Sequence, residues 1–110
     1  NALGYSFADR GIRLDEAYKL IAKATELAPE DPFIMDSMGW VLFKQGDLQG
    51  ALVFLQKAYV LKKDAEIAAH LGEVLWMLGR QDDAQRIWAE AAMRYPANGE
   101  LKAVQQKFLR

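Results

Sequence analysis

Residues 31–64 read DPFIMDSMGWVLFKQGDLQGALVFLQKAYVLKKD. Asp31 is a good helix N-cap, and Pro32 suits the first helical position, where no backbone donor is missed. Met35, Met38, Gly39 and Leu42 follow at helical spacing. Gly46 can adopt the left-handed conformation that stops a helix, and Asp47 can cap the next one. Beyond it Leu48, Ala51, Leu52, Leu55, Ala58 and Leu61 form one apolar stripe. The stretch predicts two helices folded back on each other across a tight turn. Small residues at Gly39 and Ala58 let the helix axes approach closely; a Leu at either position would push the pair apart.

The same device recurs on both sides. Gly4, Gly39 and Gly72 are spaced 35 and 33 residues apart, as are Gly11, Gly46 and Gly79. Ala17, Ala51 and Ala84 are spaced 34 and 33 apart, as are Ala24, Ala58 and Ala91. Pro29 and Pro96 lie 67 apart, with Lys63 near the midpoint where a further proline would fall. Series that drift together at this period mark a repeat architecture. In the third unit Asp64 caps, Ile67, Ala68, Leu71, Gly72, Leu75 and Leu78 form the stripe, and Gly79 ends it. Its second helix carries Ala84, Ile87, Trp88 and Ala91. The turn from Gly11 to Leu14 is one residue longer than its counterparts. The middle unit is one residue short, so Lys62-Lys63-Asp64 must turn tightly. A last helix, capped by Asn98, places Leu101, Val104 and Phe108 inward and leaves Lys102, Gln105, Gln106 and Lys107 polar, as suits a capping element. The expected organisation is repeat 1 over 1–31 with its first helix truncated, repeat 2 over 32–64, repeat 3 over 65–98 and a capping helix over 99–110.

Composition narrows the function classes. The 110 residues are 52% hydrophobic and 26% charged, which is globular rather than disordered. Fourteen Lys and Arg against fifteen Asp and Glu leave no basic excess for holding a phosphate backbone, so nucleic acid is not an expected partner. There is no cysteine, hence no disulfide or thiolate chemistry within these residues. No apolar run reaches the roughly 20 residues of a membrane-spanning helix. The chain begins at Asn1 without a Met and reads as a segment of something longer.

These residues resemble the tetratricopeptide repeat. The pattern appears as Leu3-Gly4, Phe7, Ala17, Ile21, Ala24 and Pro29; then as Met35, Met38-Gly39, Leu42, Ala51, Leu55 and Ala58; then as Ala68, Leu71-Gly72, Leu75, Ala84, Trp88, Ala91 and Pro96. The resemblance implies an all-α, right-handed solenoid of about three helix–turn–helix repeats plus the capping helix. It also implies a protein-binding scaffold or adaptor rather than an enzyme. Within the family, the strings NALGYSFADRGIRLDEAYKLI and PFIMDSMGWVLFKQGDLQGALVFLQKAY resemble the C-terminal region of long proteobacterial repeat proteins. Several of those look like outer-membrane lipoproteins facing the periplasm, which suggests a periplasmic or outer-membrane-associated setting; a cytoplasmic one is the alternative.

In such a solenoid the first helix of each repeat lines a concave groove. Carried onto this sequence, the groove positions are Asn1, Tyr5, Ala8 and Asp9, then Phe33, Asp36, Ser37, Trp40, Phe43 and Lys44, then Glu66, Ala69, His70, Glu73, Trp76 and Met77. The expected partner-binding set is Tyr5, Asp36, Ser37, Trp40, Phe43, Lys44, His70, Glu73, Trp76 and Met77. An exposed aromatic cluster rimmed by charge is a usual sign of a polypeptide-binding surface. Trp40 is expected to stand free and to anchor the ligand, flanked by Tyr5, Phe43 and Trp76. Phe43 and Trp76 have a competing reading as packing between neighbouring first helices. Trp88, Met35 and Met38 read as core. Asp36, Glu66 and Glu73 favour a ligand that is apolar with some basic character.

Chemistry is sparse. His70 is the only histidine, so no metal centre, and no cofactor, is expected. Ser6 and Ser37 sit in no nucleophile-elbow context, and Ser37 with His70 lacks an orienting acid and an oxyanion hole. The single, regularly spaced glycines build no phosphate loop and no small-molecule substrate is implied. The carboxylate clamp by which some family members grip acidic C-termini would fall on Asn1, Tyr5, Ser37, Glu66 and His70; its cations are missing and Glu66 has the wrong sign. The leading expectation is a peptide- or protein-binding module. The alternative is a structural segment that extends a longer solenoid, through upstream repeats or self-association, with binding elsewhere.

Overall fold

The computed structural model of the chain describes residues 2–109, with side chains from Leu3 onward. Among these residues there are seven helices and no strand: α1 (Ala2–Asp9), α2 (Leu14–Leu27), α3 (Pro32–Lys44), α4 (Leu48–Leu61), α5 (Ala65–Met77), α6 (Gln81–Arg94) and α7 (Gly99–Phe108). The caps are those the sequence marks. Asp31 accepts from Phe33 and Ile34, Asp47 from Gly50, Asp64 from Glu66 and Ile67, and Asn98 from Leu101. Each removes backbone donors from the unsatisfied set at a helix start.

Helices pair as α1–α2, α3–α4 and α5–α6, and each pair stacks on the next. The pairing contact is one small residue against one large one. A Cβ on Gly4 would lie 2.9 Å from Ile21 Cγ1, one on Gly39 would lie 2.7 Å from Leu55 Cγ, and one on Gly72 would overlap the Trp88 indole. The glycine series and the Ile21–Leu55–Trp88 series are therefore two sides of the same crossing. Gly46 and Gly79 turn each pair through positive φ, 89° and 83°. In the longer first turn Arg13 also takes a left-handed conformation, φ 51°. Its guanidinium pairs with Glu16 at 2.9 Å and lies 5.1 Å from the centre of the Phe7 ring, contacts that hold the extra residue in place.

Two apolar cores result. One lies between α1, α2 and α3 around Ala8, Ala17, Ile21, Met38, Trp40 and Val41. The other runs through α4, α5 and α6, with Trp88 fully buried, and is closed by Leu101 and Val104 of α7. Leu61, expected in the apolar stripe of α4, is about half exposed, because the helix ends there and Lys62 turns into the short connection. No helix is long and apolar enough to cross a membrane among the described residues. The odd-numbered helices α1, α3, α5 and α7 lie side by side, so α7 stands beside α5 as α5 stands beside α3. This row forms the face on which the groove positions lie.

Candidate functional site

The centre of that face is a polar junction built from four helices. Asp36 of α3 accepts a hydrogen bond from Nδ1 of His70, one repeat later on α5, at 2.8 Å. An ionised carboxylate only accepts, so Nδ1 carries the hydrogen. The His70 ring lies on the Trp40 indole with centroids 3.9 Å apart and planes at 20°, and Phe43 stacks on Trp40 at 4.9 Å. Trp40 donates through Nε1 to Asp9 of α1 at 3.2 Å. Tyr5, also on α1, donates its hydroxyl to Glu66 of α5 at 2.7 Å and lies 3.4 Å from His70 Nε2. Glu100 of α7 lies 3.5 Å from the same Nε2. Among the described residues no buried side-chain polar atom lacks a partner, as a stable buried network requires.

The junction favours positive charge at His70. Burial works against the imidazolium, but the hydrogen bonds it donates to Asp36 and Glu100 and the fields of both carboxylates outweigh it, and the ring is pushed up to about 10. Burial raises the Glu66 carboxyl, with the charges of Glu100 and Asp36 adding to it, while the Tyr5 bond and His70 pull the other way. Burial, then the bond to Glu66, raises the Tyr5 phenol.

Several expectations change here. Trp40 is 5% exposed: it is not a free groove residue but the slab on which His70, Phe43 and the Asp9 hydrogen bond are assembled. Asp36, Ser37 and His70 are buried as well; Ser37 spends its hydroxyl on the Phe33 carbonyl at 3.0 Å. The aromatics do not share one cluster. Tyr5, Trp40 and Phe43 belong to the junction, whereas Trp76 stacks with Trp88 at 5.9 Å and meets Phe108 at 5.6 Å. Phe43 and Trp76 are partly buried against the core. Lys44 is exposed, its ammonium 5.1 Å from the Trp40 ring centre, and Met77 is exposed beyond the junction. Glu73 is half-buried and faces Lys107 of α7 at 3.7 Å. Asn1 lies outside the described residues.

What opens to solvent is a cleft of about 230 Å³ where the row of odd helices converges. Trp40, Ala69 and His70 form its floor, Ala103 and Val104 its α7 side, and Asp9, Glu73, Glu100 and Lys107 its rim. Glu100 was not among the groove positions. Its role depends on α7 docking beside α5, and the repeat pattern that flags a groove position stops before α7. Glu66, His70 and Glu100 also bring one ligating atom each within 4.8 Å of one another, so a single histidine does not preclude a metal-ligating set.

Antiparallel helix pairs in a stack, with small-on-large crossings at a fixed period, define an α-solenoid built to present a surface. The chain belongs to the tetratricopeptide-repeat family, whose model matches residues 42–108. A TPR repeat-containing protein of Pseudomonas aeruginosa is 53% identical over 73 residues, covering 66% of this chain and 12% of that protein. The chain thus spans about an eighth of that curated relative's length. A thermophilic TPR protein of Thermus thermophilus superposes with a TM-score of 0.78 at 24% identity, covering 88% of this chain and 50% of the other; this likeness bears on the fold. The family fold is that of a general protein-interaction or scaffold module.

Proposed function

We propose that this segment acts as an adaptor surface for an extended polypeptide carrying basic and apolar residues, seated on the row of odd helices. The observation that carries it is the cleft: three carboxylates, Asp9, Glu73 and Glu100, ring a floor of Trp40 and His70, and among the described residues they outnumber the positive groups lining it, Lys107 and the His70 ring. A cationic side chain from the ligand would meet carboxylates at the rim. Apolar neighbours would pack on Phe43, Trp76 and the exposed Met77 along the same helices, with Lys44 at the border. Tyr5, Asp36, Ser37 and His70 then serve by fixing the floor rather than by touching the ligand. Family members generally act as scaffolds rather than catalysts, and a protein or peptide is the partner class this reading supports. Ordering a flexible peptide offsets much of the contact energy, so affinity on the order of micromolar is expected.

The test uses labelled peptides of matched length and apolar content that differ only in being basic, neutral or acidic. Anisotropy should rank basic above neutral above acidic. The double variant Asp9→Lys/Glu73→Lys should weaken basic-peptide binding at least about tenfold, and raised salt should weaken it further. Equal binding of all three classes, or an unchanged double variant, contradicts the reading.

A second reading, extension of a longer solenoid or self-association, draws on a different observation. Leu3, Leu27, Val60 and Met93 are apolar and exposed on four different helices, where each is available to a neighbouring repeat or a second copy. Sedimentation that shows a concentration-dependent dimer, abolished by Leu27→Lys or Val60→Lys, would favour it; a monomer at all concentrations would not.

A further inference from the structure

We propose that Glu66, His70 and Glu100 form a binding site for one divalent transition-metal cation of the borderline class, such as zinc. This goes beyond the peptide-binding reading and does not depend on it. The donors are one imidazole nitrogen and two carboxylates, a set that suits zinc and its neighbours better than magnesium or calcium, which prefer oxygen alone. Glu66 and His70 stand at i and i+4 on α5, on one face of the helix. Glu100 enters from α7, its side chain 44% exposed and 3.5 Å from His70 Nε2. In a tetrahedral zinc site with bonds of about 2.0–2.2 Å, neighbouring ligand atoms lie about 3.4 Å apart. The His70–Glu100 separation already has that value, and all three ligating atoms fall within 4.8 Å of each other.

Two features outside the trio fit the same function. His70 Nδ1 is committed to the buried Asp36 carboxylate at 2.8 Å, which turns Nε2 toward Glu100. A carboxylate behind a ligating histidine fixes the ring and strengthens it as a donor. Tyr5 donates to Glu66 at 2.7 Å and holds that carboxylate on the Nε2 side. Access is present too, because His70 and Glu100 both line the solvent-facing cleft. The wider charge balance favours a cation: Asp9, Asp36, Glu66, Glu73 and Glu100 gather here against His70 and Lys107. A metal ion on Nε2 takes the place of the proton there. It would also bind α7 to α5 across the end of the stack.

The experiment titrates the chain with zinc chloride, with magnesium chloride as control, and follows the ring resonances by proton NMR. The chain holds one histidine, so those resonances report His70 without ambiguity. One equivalent of zinc should shift or broaden them and raise the melting temperature, and magnesium should do neither. Glu100→Gln, an exposed change on α7 that leaves the core intact, should weaken zinc binding at least about tenfold, and Asp36→Asn should weaken it by about 10–100-fold. His70→Gln should abolish it; if that variant does not fold, Glu100→Gln and Glu66→Gln decide the matter. Zinc binding without a change in the His70 resonances, zinc and magnesium binding alike, or unchanged affinity in Glu100→Gln and Glu66→Gln would each overturn the proposal. None of these outcomes bears on peptide binding, which is measured with no metal added.

Discussion

The two tryptophans Trp88 and Trp40 occupy the two ends of this molecule's design. Trp88 sits on α6, fills the space over Gly72 and is surrounded by Trp76, Phe108 and the apolar residues of α5; its Nε1 donates to the Ala69 carbonyl at 3.4 Å. Trp40 sits on α3 and is nearly as deeply buried, but its cover is only partly apolar: beside Phe43 and the first core it has His70 stacked on its ring, Asp9 at Nε1, and behind them Asp36, Tyr5 and Glu66. The first environment is maintained by packing, with a single hydrogen bond to the backbone. The second is maintained only while several hydrogen bonds from different repeats are all in place. Buried polar networks of that kind are costly when half satisfied and specify one arrangement when complete.

The comparison can be broken at either end. Trp88→Ala should cost about 3–5 kcal/mol, as for other buried tryptophans, read from the midpoint of a urea melt. Trp40→Ala should lose a similar amount by the same chemistry; a melt within about 0.5 kcal/mol of wild type would mean that Trp40 is free in solution. Asp36→Ala should cost about 3 kcal/mol, since it leaves a buried imidazole without its carboxylate. At an apolar helix crossing the matching insult is steric: Gly39→Ala forces a Cβ onto Leu55 and should cost about 1–3 kcal/mol. Tyr5→Phe removes one hydrogen bond to a carboxylate and should cost about 1.5 kcal/mol or a little more. Smallest is Met93→Lys on the exposed face of α6, expected within about 0.5 kcal/mol. If Asp36→Ala proved as mild as Met93→Lys, the junction would be a surface feature and not a structural one.

The contrast also explains what could be read in advance. Helix starts follow from Asp31, Asp47, Asp64 and Asn98, whose partners lie two or three residues away. The pair crossings follow from Gly4, Gly39 and Gly72 set against Ile21, Leu55 and Trp88, because both members recur at the repeat period. Trp88 was legible as core for that reason. Trp40 was not. It stands one residue after Gly39, on the side turned away from its own partner helix, and that side looks open within a single repeat. What closes it comes from other repeats: His70 meets Asp36 across 34 residues, Tyr5 meets Glu66 across 61, and Glu100 arrives on a helix with no copy of the repeat pattern. Periodicity reports what each repeat does with itself. It is silent about non-repeated residues that pair between repeats, and here those are the residues that shape the candidate site. Arg13 shows the same limit on a smaller scale, since the extra residue was visible but its left-handed backbone and its contacts with Phe7 and Glu16 were not.

In the proposed function Trp40 and His70 form a fixed floor and the carboxylates above it recognise the ligand. Backbone amide NMR of the labelled chain, titrated with the basic peptide, tests this most directly. Progressive shifts are expected to be confined to the cleft, at Asp9, Ala69, Glu73, Glu100 and Ala103, with Val53, Val60 and Met93 on the opposite helices unmoved. Shifts centred on those outer residues, or none at peptide concentrations well above micromolar, would contradict it.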